Sequence, residues 1–164
     1  MIQATDGNLY GYTPFGGTTD SGTLFKITTS GALTTIYQYP YCGVSCGPGA
    51  FPQDTLLQDT NGIIYGSADV GNTGNGVIYS WTAPQLHRFV ETLPSSGKVG
   101  AKVTILGNKL TGATAVSFNG TEATFTVVSG NEITTAVPSG ATSGKVKVTT
   151  PGGVISTYVE FRVP

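Results

Sequence analysis

The chain has 164 residues, of which only 10% are charged, and its eight Lys and Arg stand against nine Asp and Glu. A net charge of -1 provides no extended basic surface for a phosphate backbone, which excludes nucleic acid as an expected partner. The sequence contains no apolar run of the length that spans a bilayer, so we expect no membrane insertion by this segment.

The first half of the chain contains a repeat. The segment QATDGNLYGYTPFGGTTDSGTLFKI begins at Gln3 and returns 55 residues later as QDTNGIIYGSADVGNTGNGVIYSW, beginning at Gln58. Asp6-Gly7 and Asn61-Gly62 occupy the same place in the two copies. Such dipeptides predict tight hairpin turns in which both residues adopt positive φ.

Short strands are expected after each turn, at residues 9–11, 23–27, 33–37, 64–66 and 77–81. Three or four short strands in about 50 residues are typical of a propeller blade. We therefore predict two propeller-blade-like antiparallel β repeats over residues 1–84. Since a propeller needs at least four blades, the two repeats are expected to be a truncated array or a subunit that neighbours complete.

The composition changes near Ala83-Pro84, because residues 1–90 hold 12 of the 16 aromatic residues. Alternating segments then predict strands at 102–106, 115–118, 124–128, 132–137, 145–149 and 158–163. About seven short strands indicate a β-sandwich, which we assign to residues 85–164. Its predicted core consists of Val103, Ile105, Val116, Phe118, Phe125, Val127, Ile133, Val137, Val146, Val148, Val159, Phe161 and Val163.

Two family resemblances support this all-β organisation. Residues 89–164, with PSSG, VTILGNKLTGA, VSFNGTEA and VTTPGG, resemble the IPT/TIG family of immunoglobulin-like domains. Residues 1–82, with DGNLYG, GTLFKIT and CGVSCGPGAFPQDTLLQDTNGIIYG, resemble the bacterial repeats called GloVer. The resemblances imply a secreted or cell-surface bacterial protein in which an immunoglobulin-like sandwich follows tandem repeats. Neither family implies a catalytic residue set or a cofactor.

The residues themselves offer little for catalysis. His87 is the only histidine, it lies in APQLHRF without a neighbouring acid, and the sequence has no GxSxG nucleophile motif. Most of the acids, including Asp6, Asp20 and Asp69, lie at glycine-rich turns, where Asp bonds its own backbone. We therefore expect that the protein is not an enzyme and uses no cofactor.

Two loops contain candidate ligands. Asp69, Asn72 and Asn75 lie in DVGNTGNG and are weak calcium candidates, but with one carboxylate and no EF-hand spacing an ordinary loop is the favoured interpretation. Cys42 and Cys46, in YCGVSCGPG, are expected to form a short disulfide, which would indicate an oxidising compartment. Two free thiols are the alternative, whereas a zinc site would lack ligands.

The aromatic residues of the first half are either blade core or a surface on which a sugar stacks. The recurring Tyr10 and Tyr65 are expected in the core, which leaves Tyr12, Tyr39 and Tyr41 as the candidates for stacking. Asn119-Gly120-Thr121 fits the glycosylation triplet at a predicted hairpin tip, and we expect Asn119 to be unmodified in a bacterial protein.

These patterns favour a non-catalytic extracellular structural or adhesive module. Its expected partners are other copies of itself or other surface proteins, and association through open β edges would build a fibre. The alternative function is a carbohydrate-binding module that holds a polysaccharide on the aromatic residues of the first domain.

Overall fold

A computed structural model of the protein describes residues 1–41, 49–71 and 75–164. The described residues form fifteen β-strands and no helix, and every pairing between strands is antiparallel. The chain divides into two compact units, Met1–His87 and Arg88–Pro164. The prediction of an all-β protein is confirmed.

The first repeat is a four-stranded sheet. Its strands are β1 (Ile2–Gln3), β2 (Leu9–Thr13), β3 (Thr23–Ile27) and β4 (Leu33–Gln38), and they lie side by side in chain order. Gly11 pairs with Phe25, and Tyr12 pairs with Leu24. Because paired residues share a face of the sheet, Tyr12 and Leu24 lie on one side and Phe25 lies on the other.

The second repeat is a three-stranded sheet of β5 (Ala50–Gln58), β6 (Ile64–Val70) and β7 (Val77–Trp81). The pairing of β6 with β7 repeats that of β2 with β3, since Gly66 lies opposite Tyr79 and Ser67 lies opposite Ile78. Strand β5 was not predicted. It contains Pro52 and a register shift between Gln53 and Leu57, and both features hide a strand from alternation analysis.

The hairpin turns differ from the prediction in one respect. Gly7 and Gly62 adopt φ angles of 81° and 88°, whereas Asp6 and Asn61 are not among the residues with positive φ. The Asp6 carboxylate instead accepts a hydrogen bond from the Asn8 backbone N–H at 3.1 Å. The Asn61 side chain accepts one from Ile63 at 2.7 Å in the same way. The polar residue thus caps its own turn, and only the glycine needs the left-handed conformation.

The two repeats share one core. Residues from both sheets are buried in it, namely Ala4, Tyr10, Leu24, Tyr39, Leu56, Ile64 and Leu86. Tyr12, Tyr37, Tyr79 and Trp81 are partly buried against this cluster. The Tyr12 and Leu24 side of the first sheet therefore packs on the Tyr79 side of the second.

The second unit is a β-sandwich. One sheet has the order β11 (Thr121–Ala123), β10 (Ala115–Phe118), β14 (Val146–Thr150), β15 (Gly153–Ser156). The other has the order β12 (Phe125–Ser129), β13 (Glu132–Ala136), β9 (Lys102–Gly107), β8 (Val90–Leu93). The core between them includes Ile105, Phe118, Ile133 and Phe161, and the Phe118 and Phe161 rings meet edge to face at 5.1 Å.

The predicted strand at residues 158–163 is wrong, and so is the assignment of Val159 to the core. Val159 is largely exposed, and the last strand is β15, which precedes this segment. Phe161 is buried, but it pairs only with Gly144 through an isolated bridge. Alternation located Phe161 correctly but overestimated the length of regular pairing around it.

Candidate functional site

The residues that recur in the two repeats hold the fold together. The Gln3 side-chain amide donates to the Gly7 carbonyl at 3.0 Å, and the Gln58 amide donates to the Gly62 carbonyl at 3.2 Å. The Gln58 side-chain oxygen also accepts a hydrogen bond from the Thr5 backbone N–H at 2.9 Å, and this bond joins the two repeats. These glutamines therefore support the turns.

The recurring tyrosine and glycine have structural roles of the same kind. The Tyr10 hydroxyl donates to the Asp6 carboxylate at 2.9 Å, and the Asn61 amide donates to the Tyr65 hydroxyl at 3.1 Å. Burial, together with the hydrogen bond to Asp6, raises the pKa of Tyr10 to about 12. A Cβ atom on Gly66 would lie 2.4 Å from the Tyr79 ring, so this glycine is needed for an aromatic side chain to cross the strand.

The two repeats differ in which surfaces they cover. Leu24 on β3 is 2% exposed, whereas Ile78, which occupies the equivalent position on β7, is 72% exposed. Leu57, the counterpart of Ile2, is also largely exposed, and Tyr65, the counterpart of the buried Tyr10, is only half-buried. We call this face of the second repeat, formed by Leu57, Tyr65, Ser67 and Ile78, the uncovered face.

An aromatic pocket of about 250 Å³ lies between the two sheets of the first unit. Its lining residues are Leu24, Tyr37, Tyr39, Tyr79, Ser80 and Trp81. The Tyr39 ring is nearly perpendicular to the Tyr37 ring, at 5.1 Å, and inclined by 66° to the Tyr79 ring, at 5.5 Å. These rings therefore form walls of different orientation and do not stack on one another.

The polar tips in this pocket are neutral and incompletely bonded. Burial raises the pKa of Tyr37, Tyr39 and Tyr79 above the ordinary value for a phenol, so all three hydroxyls stay protonated at neutral pH. Among the described residues, the Trp81 indole nitrogen is buried without a hydrogen-bond partner. The Tyr79 hydroxyl interacts with the hydroxyl of Tyr39. An unpaired buried donor such as the Trp81 N–H is costly.

The three tyrosines predicted to stack on sugars have different environments. Tyr41 is 74% exposed, and Tyr12 is partly buried against the shared core. Tyr39 is almost completely buried, which corrects the expectation that its ring offers an open surface. The structure instead groups Tyr39 with Tyr37, Tyr79 and Trp81. These aromatic residues stand out in the sequence, but no sequence pattern indicates that β4 and β7 come together.

The predicted ligand loops can be placed only in part. Cys42, Cys46 and Asn72 lie outside the described residues, so the disulfide stays a prediction. Asp69 and Asn75 are exposed. Within the described ranges, no group of three or more His, Cys, Asp or Glu could hold a metal ion.

Asn119 lies at the turn between β10 and β11, as predicted, and it adopts a φ of 46°. Its side-chain nitrogen donates to the Thr142 hydroxyl at 2.9 Å and to the Ser143 carbonyl at 3.0 Å. A glycan would replace one of the two hydrogens on this same nitrogen, so modification would remove one of these two bonds. The expectation of an unmodified Asn119 stays a prediction.

His87 is exposed at the end of the first unit, and its backbone carbonyl accepts a hydrogen bond from the Thr5 hydroxyl at 3.4 Å. A Cβ atom on Gly62 would lie 2.9 Å from the His87 backbone, which places this segment against the second turn. The main chain of His87 thus has a structural role. No helix in the described part of the chain is long and apolar enough to cross a bilayer.

The fold of the second unit defines it as an immunoglobulin-like sandwich. The family model of the IPT/TIG domain matches residues 84–163, so an IPT/TIG domain forms the C-terminal part of the chain. IPT/TIG domains are commonly non-catalytic modules for adhesion or protein interaction. No curated protein matches the chain.

Proposed function

We propose that this chain is a non-catalytic structural or adhesive module of a bacterial surface or secreted protein, and that it binds other copies of itself. In this proposal residues 1–84 are two GloVer-type repeats and residues 85–164 are the immunoglobulin-like module. The recurring DGNLYG and NGIIYG segments support the repeat assignment. The IPT/TIG domain supports a role in interaction.

The observation that carries self-association is the uncovered face. Ile78 and Leu24 occupy the same position in their repeats, yet only Leu24 is covered by a neighbouring sheet. A second sheet placed on Ile78 and Leu57 would bury their apolar surface. Such burial stabilises association by about 25 cal/mol per Å² of apolar surface. The sheet that covers Leu24 in the first repeat supports a proposal for the kind of sheet that would bind there.

The matching surface is the opposite side of the first repeat. In the second repeat the corresponding side, with Ile64, Tyr79 and Trp81, packs on the first repeat. In the first repeat the equivalent residues are Leu9, Phe25 and Ile27, and all three remain outside the shared core. One copy can therefore place this side on the uncovered face of the next copy. Such head-to-tail contacts build a fibre when the rotation between copies does not close.

An open sheet edge provides a second route to association. Strand β3 is paired on both sides, by β2 and β4, whereas its counterpart β7 is paired only with β6 in the described sheet. An unpaired edge exposes N–H and C=O groups that can bond a strand of another chain.

Light scattering over a series of protein concentrations tests the proposal. We expect the mass of the wild type to rise with concentration and Ile78→Asp to abolish or strongly weaken this rise. Val128→Asp is the matched control, because Val128 is an exposed apolar strand residue of the other unit. Association that survives Ile78→Asp and Leu57→Asp would leave the β7 edge as the route. A wild type that stays monomeric at the highest concentration would contradict the proposal.

A further inference from the structure

The second repeat has no counterpart of the fourth strand of the first repeat. In the first repeat, β3 ends at Ile27 and β4 begins at Leu33 and pairs with β3. At the same distance after β7 lie residues 87–92, which lead into β8, and β8 pairs with β9 of the sandwich. In the described sheets, β7 therefore pairs only with β6, and its other edge is open.

Strand β7 also lacks the features that protect an outer strand. Proteins protect such strands by making them short, by placing charges or proline in them, or by bulges. Among the described sheets, the outer strands β1, β8, β11 and β15 have four residues or fewer, β5 contains Pro52, and β4 and β12 pair through register shifts. Strand β7, Val77–Trp81, has five residues in regular register, and none of them is charged or proline.

We propose that the open edge of β7 binds an extended segment of another polypeptide, which pairs antiparallel with β7 and has aromatic residues at alternate positions. This proposal rests on the proposed role of the chain as an adhesive module, and it names the partner of the open edge. In such strand addition, main-chain hydrogen bonds supply the affinity and side chains at alternate positions supply the specificity.

The antiparallel pairing of β4 with β3 indicates the chemistry of this segment. Tyr37 lies opposite Leu24. Two residues further on, the Tyr39 backbone N–H donates to the Gly22 carbonyl at 3.0 Å, and the Tyr37 and Tyr39 rings are in contact at 5.1 Å. The position of Leu24 is occupied in the second repeat by Ile78, which is 72% exposed. An aromatic residue of the bound segment would therefore lie beside Ile78 and cover part of its apolar surface.

A synthetic peptide with the sequence of residues 32–40, ALTTIYQYP, tests the proposal because it contains β4. Fluorescence anisotropy of the labelled peptide, titrated with the intact chain at low concentration, should show saturable binding. Peptides with Ser in place of Tyr37 or Tyr39 should bind up to about fivefold more weakly, which corresponds to the loss of one aromatic cross-strand contact. Ile78→Ala in the chain should weaken binding by a similar factor. Val128→Ala is the matched control, because Val128 is an exposed residue of the outer strand β12.

Backbone N-methylation separates strand pairing from simple adhesion of apolar side chains. Successive N–H groups of a strand point to opposite edges, so methylation at alternate residues blocks pairing along one edge only. Of two peptides methylated in opposite registers, one should bind and the other should not. Hydrogen exchange then locates the site. The peptide should slow exchange in Val77–Trp81 and leave Thr23–Ile27 unchanged, because β4 already pairs with the outer edge of β3.

Several outcomes would overturn the proposal: no saturable binding, equal binding of the two methylated peptides, full affinity of the Ser-substituted peptides, or exchange that stays unchanged in β7. Light scattering without peptide tests self-association separately. A chain that stays monomeric but binds the peptide at β7 would contradict self-association alone. A chain that associates but does not bind the peptide would contradict the strand partner alone.

Discussion

The two units bury their strands in different ways. In the sandwich, two four-stranded sheets face each other, and the inward residues of both, such as Ile105 and Val148, are buried. In the repeat unit each sheet has one face in the shared core, and the other face of the second sheet exposes Ile78. The sandwich core is closed by its own two sheets, whereas repeats bury a face only when another repeat covers it.

This difference shows why the same sequence pattern has different meanings in the two units. In the sandwich, an alternating apolar residue that points inward meets the facing sheet. In the repeats, Leu24 and Ile78 have the same pattern and the same place in the strand, yet one is covered and the other is not. The repeat pattern therefore identifies surfaces that can be buried. Whether a given surface is buried depends on whether the sheet of another repeat packs on it.

The largest expected effect is a difference in stability between alanine variants at Leu24 and at Ile78. Leu24→Ala should lower the free energy of unfolding by about 2–5 kcal/mol, because it leaves a cavity in the shared core. Ile78→Ala should lower the free energy of unfolding by less than about 1 kcal/mol, mainly because alanine has a lower strand propensity than isoleucine. Urea unfolding followed by Trp81 fluorescence reports on this unit, and dilute protein keeps association from contributing. Equal losses for the two variants would contradict the account of which face is covered.

The next effect compares two equivalent glycines. A Cβ atom on Gly66 would lie 2.4 Å from Tyr79 and 2.8 Å from Leu56, and both of these side chains pack in the shared core. A Cβ atom on Gly11 would lie 2.5 Å from Phe25, which is outside that core and can move toward solvent. Gly66→Ala should therefore lower the free energy of unfolding by about 1–3 kcal/mol, and Gly11→Ala should lower it by less. Thermal unfolding of both variants measures the difference, and a larger loss for Gly11→Ala would show that Phe25 is confined.

Much of the fold was predictable because alternation and turn chemistry are local. The strands Thr23–Ile27, Val77–Trp81 and Ala115–Phe118 match their predicted bounds, and most of the predicted sandwich core is buried. Strand β5 was missed because Pro52 and a bulge interrupt its pattern. Val159 was misplaced because alternation continues beyond the last regular pairing.

The candidate site was less predictable than the fold. The stacking residues predicted from the sequence were Tyr12, Tyr39 and Tyr41, whereas the pocket joins Tyr39 to residues of β4 and β7. Those strands belong to different repeats, and only the packing of one sheet on the other brings them together. The burial of Tyr39 has the same cause, because the Tyr79 ring contacts it from the second sheet. Local patterns do not contain this information.

The smallest expected effect concerns the two recurring glutamines. Gln58 is half-buried and bonds Thr5 and the Gly62 carbonyl, so Gln58→Ala removes bonds that join the repeats. Gln3 is exposed and bonds only the Gly7 carbonyl among the contacts described. We expect the free energy of unfolding to fall by about 1 kcal/mol in Gln58→Ala and by about 0.5 kcal/mol in Gln3→Ala. Urea unfolding measures both losses. A larger loss at Gln3 would mean that the turn, and not the contact between repeats, is what the glutamine stabilises.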